Sequence, residues 1–123
     1  MDRVRFITHK DKRVLLIDYS NITNESDLVE MIEQREFVID SQPKNSVLMV
    51  INVSGAKFSK EVLTRAKEAN VYDRPYVRRS ALVGAEERQK PAIDAVSMFA
   101  KKHWELFDTL DEALDWIVNE EAA

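Results

Sequence analysis

The sequence predicts an α/β domain with a mostly parallel sheet of about five strands, an antiparallel first strand, right-handed β-α turns and about four helices. Three observations lead to this fold class. Short apolar segments alternate with longer segments whose apolar residues recur at helical spacing. Residues 47–53 are apolar except for Asn52, which is typical of a strand covered on both faces. The first two strand-like segments are separated only by a short polar run, so they are expected to pair as a hairpin.

The hairpin consists of residues 4–8 and 13–19, joined by the polar run at residues 9–12. After a turn, Asn24 is the predicted N-cap of the first helix, with Asp27 three residues later. The apolar stripe of this helix consists of Leu28, Met31, Ile32, Val38 and Ile39. Residues 42–45 end the helix, because proline and asparagine favour a turn there.

The second helix follows the strand at residues 47–53 and is predicted to be capped by Ser59. Its apolar stripe consists of Val62, Leu63, Ala66 and Ala69. A short strand at residues 80–83 ends at Gly84. The third helix tolerates Pro91 because this residue lies in its first turn. Its predicted stripe consists of Ala92, Ala95, Val96 and Phe99.

The last strand is predicted at residues 104–107, and the last helix follows it directly. Thr109 and Glu112 have the spacing of a capping box. The apolar stripe of this helix consists of Leu110, Ala113, Leu114, Ile117 and Val118.

Length and composition predict one cytoplasmic domain over residues 1–123. A chain of 123 residues has the size of one ordinary domain. It contains no cysteine, which excludes disulfides and thiolate metal sites, and it has no apolar run long enough to span a bilayer or to act as a signal peptide. A net charge of −4 argues against nucleic acid as a partner.

A ligand or a protein partner is expected at the carboxyl ends of the parallel strands, where open α/β sheets bind their ligands. The candidate residues for this site are Asp18, Ser20, Asn52, Ser54, Gly55, Lys57 and Gly84. The two glycines either allow a ligand to approach the backbone or serve turns that need a positive φ. Asp18 is either a functional acid or a residue that pairs with a nearby lysine or caps a turn.

Ser59 is the candidate phosphoacceptor, and it also has the ordinary role of an N-cap. A phosphate at a helix N-terminus adds negative charge where the macrodipole and free amides stabilise it. No catalytic, cofactor-binding or metal-binding residues are predicted, because neither histidine lies near the strand ends and no nucleophile has a partner base. The chain is therefore not expected to be an enzyme.

Two segments resemble STAS domains (sulfate transporter and anti-sigma-factor antagonist). Residues 50–59, VINVSGAKFS, are similar to the STAS segment in which a strand ending in an acidic or amide residue leads through a Ser-Gly turn to a serine at the next helix. Residues 107–117, FDTLDEALDWI, resemble the closing pattern of the SpoIIAA-like branch, which is also grouped with CRAL-TRIO-type proteins. The element order matches over nearly the whole chain.

The resemblance implies a SpoIIAA-like fold and activity through association with a protein partner, switched by serine phosphorylation. Phe58 and Lys60 flank Ser59, whereas the usual phosphoacceptor motif has an acidic residue before the serine pair and a glycine after it. The CRAL-TRIO grouping implies instead a carrier or sensor of a small apolar ligand or lipid. The sequence feature behind this alternative is a set of apolar residues off the helical stripes, Ile93, Met98 and Trp116, although such residues are more often incidental or part of a self-association patch.

A homodimer is also expected if the helices gather on one face of the sheet, because the other face of residues 47–53 would then need cover.

Overall fold

A computed structural model of the chain describes residues 3–120. The strands are β1 (Val4–His9), β2 (Lys12–Asp18), β3 (Val47–Asn52), β4 (Val77–Val83) and β5 (Glu105–Phe107). The helices are α1 (Glu25–Asp40), α2 (Lys60–Asp73), α3 (Lys90–Ala100) and α4 (Leu110–Val118), and a short 3-10 helix (Glu87–Gln89) precedes α3.

The five strands form one sheet whose spatial order is the order of the chain. β1 is antiparallel to β2, whereas β2, β3, β4 and β5 are parallel to their neighbours. The predicted α/β fold class, with one antiparallel strand at the N-terminus, is confirmed.

The hairpin turn is tighter than the predicted polar run. His9, the last residue of β1, pairs with Lys12, the first residue of β2, so only Lys10 and Asp11 form the turn. Both have positive φ values, 49° and 65°, as a type I′ turn requires. The short turn fixes the register of the hairpin.

The helices cover both faces of the sheet. α1, α2 and α3 pack on the face that carries Met49 and Ile51, whereas α4 packs on the face that carries Leu48 and Val50. When parallel strands follow one another in chain order, crossovers of one hand place their helices on one face. α4 follows the last strand, so it is free to cover the opposite face.

This arrangement removes the argument for a homodimer. The prediction rested on an uncovered side of β3, yet the four side chains Leu48, Met49, Val50 and Ile51 are between 0% and 7% exposed within one chain. Self-association stays a prediction without that support.

The predicted N-caps of α1, α2 and α4 are confirmed. The three cap side chains accept hydrogen bonds from backbone amides three residues later: Asn24 from Asp27 (3.1 Å), Ser59 from Val62 (3.2 Å) and Thr109 from Glu112 (3.3 Å). These bonds satisfy amides that the first turn of a helix leaves without partners.

The predicted stripe of α3 is partly wrong. Phe99 is 57% exposed, whereas Val96 and Ala100 are buried. The buried face of α3 therefore runs along Ile93, Val96 and Ala100, at spacings of three and four residues. Ile93, considered off-stripe in the sequence, packs on the core.

Within residues 3–120, none of the helices combines the length and the hydropathy that a bilayer crossing requires.

Candidate functional site

The polar residues predicted at the strand ends do lie along one edge of the sheet. Asp18 of β2 is the register partner of Asn52 of β3, which in turn pairs with Val83 of β4. The backbone amide of Asn21 donates to the carbonyl oxygen of Ser54 across 2.7 Å, which joins the loops after β2 and β3. The fold thus brings the predicted residues together.

Their polar groups are used by the protein itself. Asp18 Oδ1 accepts a hydrogen bond from the amide of Ser20 (3.0 Å), and Asn52 Oδ1 accepts one from the amide of Ser54 (3.0 Å). Both are Asx turns, in which the side chain holds the loop that leaves the strand. Arg3 Nη1 also donates to the carbonyl oxygens of Asp18 and Ser20. The turn-capping role of Asp18 is therefore the one that its contacts support, and its nearby cation is an arginine.

Neighbouring side chains fill the space beside the Cα atoms of the two glycines. Gly55 and Gly84 have φ values of +68° and +76°. A Cβ atom at Gly55 would overlap Asn21 Oδ1, and one at Gly84 would overlap Ser54 Oγ. Close approach is needed at both positions, but the approaching groups belong to the protein, so these contacts give the glycines a structural role.

Ser59 and Lys57 occupy the loop between β3 and α2. Lys57 is exposed and Ser59 is half-buried. The hydroxyl of Ser59 accepts the bond from the Val62 amide at the start of α2. A phosphoryl group on this oxygen would lie at the N-terminus of a 14-residue helix.

A cavity of about 60 Å³ lies between the sheet and the three helices α1, α2 and α3. Its walls are apolar except at one end. The lining residues are Tyr19, Leu28, Ile32, Arg35, Ile51, Val53, Phe58, Val62, Leu63, Ala66, Asn70, Leu82, Ala92, Ile93, Val96 and Trp104.

A second depression of about 130 Å³ adjoins the cavity near the strand ends. The two share Phe58 and Ala92, and Lys57 and Arg88 line the outer one. Gln89 holds its wall in place, because its side-chain amide donates to the carbonyl oxygens of Val53 and Ala56 at 2.9 Å each. Phe58 and Ala92 thus stand between the outer depression and the apolar interior.

The polar end of the cavity is built around Arg35. Its Nε donates to Asp73 Oδ2 across 2.7 Å and its Nη2 donates to Asn70 Oδ1 across 2.8 Å. Nη1 donates to the hydroxyl of Tyr19 at 3.3 Å. Arg35 and Asp73 are 2% and 0% exposed, so this is a buried ion pair between α1 and α2. Burial raises the pKa of Tyr19, which keeps the phenol neutral.

A second buried cation lies beside this pair. Lys102 is 8% exposed, and its Nζ donates to Asn70 Oδ1 across 3.1 Å, the same oxygen that Arg35 uses. Burial, with the nearby positive charge of Arg35, lowers the pKa of Lys102 to about 7. The indole nitrogen of Trp104 is buried without a hydrogen-bond partner.

Sequence reasoning missed this polar cluster. Arg35 follows Leu28 by seven residues and Ile32 by three, so it lies on the apolar stripe of α1. Asn70 and Asp73 continue the stripe of α2 in the same way. The available signal was the position of these polar residues on stripes that were otherwise apolar.

Neither histidine contributes to this site. His9 Nε2 lies 2.8 Å from Asp115 Oδ1, which joins the end of β1 to α4, and His103 lies on the surface near Glu105. Within residues 3–120, no three histidine, cysteine or acidic side chains are placed to share a metal ion.

Two arginines of β4 are also engaged by the protein itself, because Arg78 pairs with Glu120 and Arg79 stacks on Trp116.

The fold is similar to that of a solved bacterial protein. A crystal structure of an uncharacterized protein from the DUF3478 family of Shewanella loihica PV-4, described as having a SpoIIAA-like fold, matches with a TM-score of 0.73 and 16% sequence identity. The match covers 93% of this chain and 91% of that one. The expected SpoIIAA-like fold is thereby confirmed. No family model matches the sequence, and no curated protein matches it significantly.

Proposed function

We propose that the protein is a non-catalytic binding module that holds a small ligand with an apolar body in the cavity between the sheet and α1, α2 and α3. The observation that supports this proposal is the cavity itself, which has apolar walls, a cluster of polar groups at one end and an adjoining depression at the other. Small-molecule sites combine these features, with apolar walls providing affinity and a few polar groups fixing orientation.

The size of the cavity limits the ligand. A cavity of about 60 Å³ is smaller than an engineered cavity of about 150 Å³ that binds benzene. A ligand of a few carbon atoms needs only small side-chain movements, whereas a longer chain requires displacement of Phe58 at the boundary with the outer depression.

A non-catalytic role is proposed because the polar groups at the site bind one another. Arg35 and Asp73 form an ion pair, and the amide oxygen of Asn70 accepts from both buried cations. A catalytic site needs a nucleophile or general base within reach of a bound reactant. The hydroxyl at this site, Tyr19, is a neutral phenol held by Arg35.

The test uses two alanines of α3 as a matched pair. Both Ala92 and Ala95 are half-buried, but Ala92 lines the cavity and Ala95 does not. Native mass spectrometry of purified protein, followed by titration with alkanes, alcohols and acids of increasing length, identifies any bound ligand. Ala92→Trp is expected to abolish binding and Ala95→Trp to retain it. Loss of binding in both variants, or absence of binding to the unaltered protein, would refute the proposal.

A second candidate function is association with a protein partner at the strand ends, switched by phosphorylation of Ser59. The supporting observation is that Ser59 caps α2 at the edge where Lys57 is exposed, so a phosphate there meets the helix N-terminus. Affinity capture with the protein and with Ser59→Asp tests this idea. A partner that binds both forms equally, with no phosphate on Ser54 or Ser59 in protein from its native cells, would argue against the switch.

A further inference from the structure

We infer that the ligand is a small monocarboxylic acid whose carboxylate lies at the end of the cavity lined by Arg35, Asn70 and Trp104, with Lys102 beside it. This inference rests on the proposed function and specifies the chemical class of the ligand. It follows from the balance of charge at that end, from the hydrogen-bond donors present there, and from the apolar remainder of the cavity.

Cationic side chains outnumber carboxylates among the buried residues at this end of the cavity. The buried cluster contains two cationic side chains, Arg35 and Lys102, and one carboxylate, Asp73. Arg35 forms an ion pair with Asp73 at an N–O distance of 2.6 Å. Lys102 Nζ donates instead to the neutral side-chain amide of Asn70. A buried cation is costly unless it is paired with an anion. The carboxylate of Glu36 is half-buried and acts on Arg35, but it is not among the charges that act on Lys102. While Lys102 is protonated, this buried cation therefore lacks an anion of its own.

Hydrogen-bond donors that a ligand could use lie at the same end of the cavity. Trp104 lines the cavity, is 8% exposed, and has a buried indole N–H that lacks a partner. The guanidinium of Arg35, which also lines the cavity, has five N–H groups, and its Nη1 makes one hydrogen bond, to Tyr19. Lys102 Nζ lies 5.9 Å from the centre of the Trp104 ring. A carboxylate has several lone pairs and can accept from more than one of these donors at once.

The rest of the cavity determines the remainder of the ligand. Outside this end, the lining side chains are aliphatic or aromatic, as at Leu28, Val62 and Ile93. A second charged group on the ligand would have to lie against them without a partner, which excludes dicarboxylates and zwitterions. Asp73 Oδ1 also lacks a partner, but the carboxylate of Asp73 is already paired with Arg35, so it does not select a cationic ligand. Neither Asp73 nor Lys102 lines the cavity, and Lys102 contributes a positive charge from beside Asn70, which does.

The experiment compares ligands with identical chains and different headgroups. Butanoate, 1-butanol and butylamine, and the same series with six carbon atoms, are titrated into the unaltered protein at pH 6.5, and binding is followed by amide chemical shifts. The acid is expected to bind at least about tenfold more tightly than the alcohol, as a charge-assisted hydrogen bond exceeds a neutral one. Equal affinity of acid and alcohol, or tighter binding of the amine, would overturn the inference and leave the proposed function intact. Absence of binding by every compound would overturn both.

Variants of two adjacent lysines localise the effect. Lys102→Met removes the buried cation, and Lys101→Met removes its exposed neighbour. Lys102→Met is expected to reduce acid affinity about tenfold and to change alcohol affinity less than about twofold, whereas Lys101→Met leaves both unchanged. An acid affinity that is unaffected by Lys102→Met would contradict the placement of the carboxylate. If Lys102→Met does not fold, the comparison of headgroups on the unaltered protein still decides whether the site prefers a carboxylate.

Discussion

The guanidinium of Arg35 and the carboxylate of Asp73 form an ion pair with an N–O distance of 2.6 Å, and their side chains are 2% and 0% exposed. The pair joins the middle of α1 to the last residue of α2. Taking two charges out of water is expensive, and their attraction offsets that cost only while both partners are present. The pair therefore makes the contact between the two helices sensitive to the loss of either residue.

Replacing one partner of this ion pair is expected to reduce the free energy of unfolding much more than replacing both. Arg35→Met leaves Asp73 buried and unpaired, which should reduce the free energy of unfolding by about 3–5 kcal/mol. Replacing both residues, in Arg35→Met with Asp73→Leu, should recover most of that loss, because the double variant leaves neither member of the pair buried without its partner. Urea unfolding followed by circular dichroism measures both values.

The chain offers an exposed pair between the same two helices as a control. Arg65 of α2 lies 3.7 Å from Glu33 of α1, with side-chain exposures of 30% and 61%. Because solvent screens this pair, Arg65→Met should reduce the free energy of unfolding by less than about 1 kcal/mol. Similar losses for Arg35→Met and Arg65→Met would show that burial does not govern the strength of these pairs.

The fold was predictable from the sequence because its strongest determinants are local. Residues 47–53 are apolar on both faces, which identifies the central strand, and the caps at Asn24, Ser59 and Thr109 mark three helix starts within one residue of their observed bounds. The short polar run after β1 likewise determines the antiparallel pairing of the hairpin.

The polar end of the cavity was not predictable in the same way. Arg35, Asn70 and Lys102 belong to three separate segments, and their proximity depends on how α1, α2 and the segment after α3 pack together. A charged residue on a helix is ordinarily assigned to the solvent side, and the sequence alone contains no signal for the partner that makes its burial tolerable. The strand-end residues were found because the C-terminal ends of parallel strands meet at one edge whatever the packing of the helices.

Gly84 is expected to be the more sensitive of the two glycines. Gly84→Ala introduces a Cβ atom that overlaps Ser54 Oγ, at a φ of +76°, where side chains cost about 1 kcal/mol even without a clash. We expect a loss of more than about 2 kcal/mol in the free energy of unfolding, measured by urea denaturation. Adding Ser54→Ala removes the overlapping oxygen and should recover part of that loss. If the double variant is no more stable than Gly84→Ala, the contact with Ser54 does not explain the glycine.

Substitutions on α3 test which of its faces packs on the core, the observed face that carries Val96 or the predicted face that carries Phe99. Val96 is 4% exposed and Phe99 is 57% exposed. Val96→Ala should lower the free energy of unfolding by about 1–3 kcal/mol because it leaves a space in the core beside the cavity. Phe99→Ser should change the free energy of unfolding by less than about 1 kcal/mol, although it removes a cation–π contact with Lys67, whose Nζ lies 5.7 Å from the centre of the Phe99 ring. Thermal unfolding of both variants measures the difference, and a larger loss for Phe99→Ser would mean that α3 presents its other face to the core.

Lys102 makes the stability of the protein depend on pH in a definite direction. Its pKa is lowered from 10.5 to about 7 by burial and by Arg35 of α1, against the smaller opposing effect of Asp73 of α2. Between these two values the unfolded chain binds a proton that the folded protein does not, so the free energy of unfolding increases as pH rises through this window. The slope from one such group is at most about 1.4 kcal/mol per pH unit.

Urea denaturation between pH 7.5 and 9.5 should show this increase for the unaltered protein relative to Lys102→Met. The comparison with this variant also cancels the contribution of other titrating groups. The upper limit of pH 9.5 avoids Tyr19, whose raised pKa gives the opposite slope above pH 10. Parallel stability curves for the two proteins would show that Lys102 stays charged in the fold, and Lys101→Met provides the control for losing an exposed lysine.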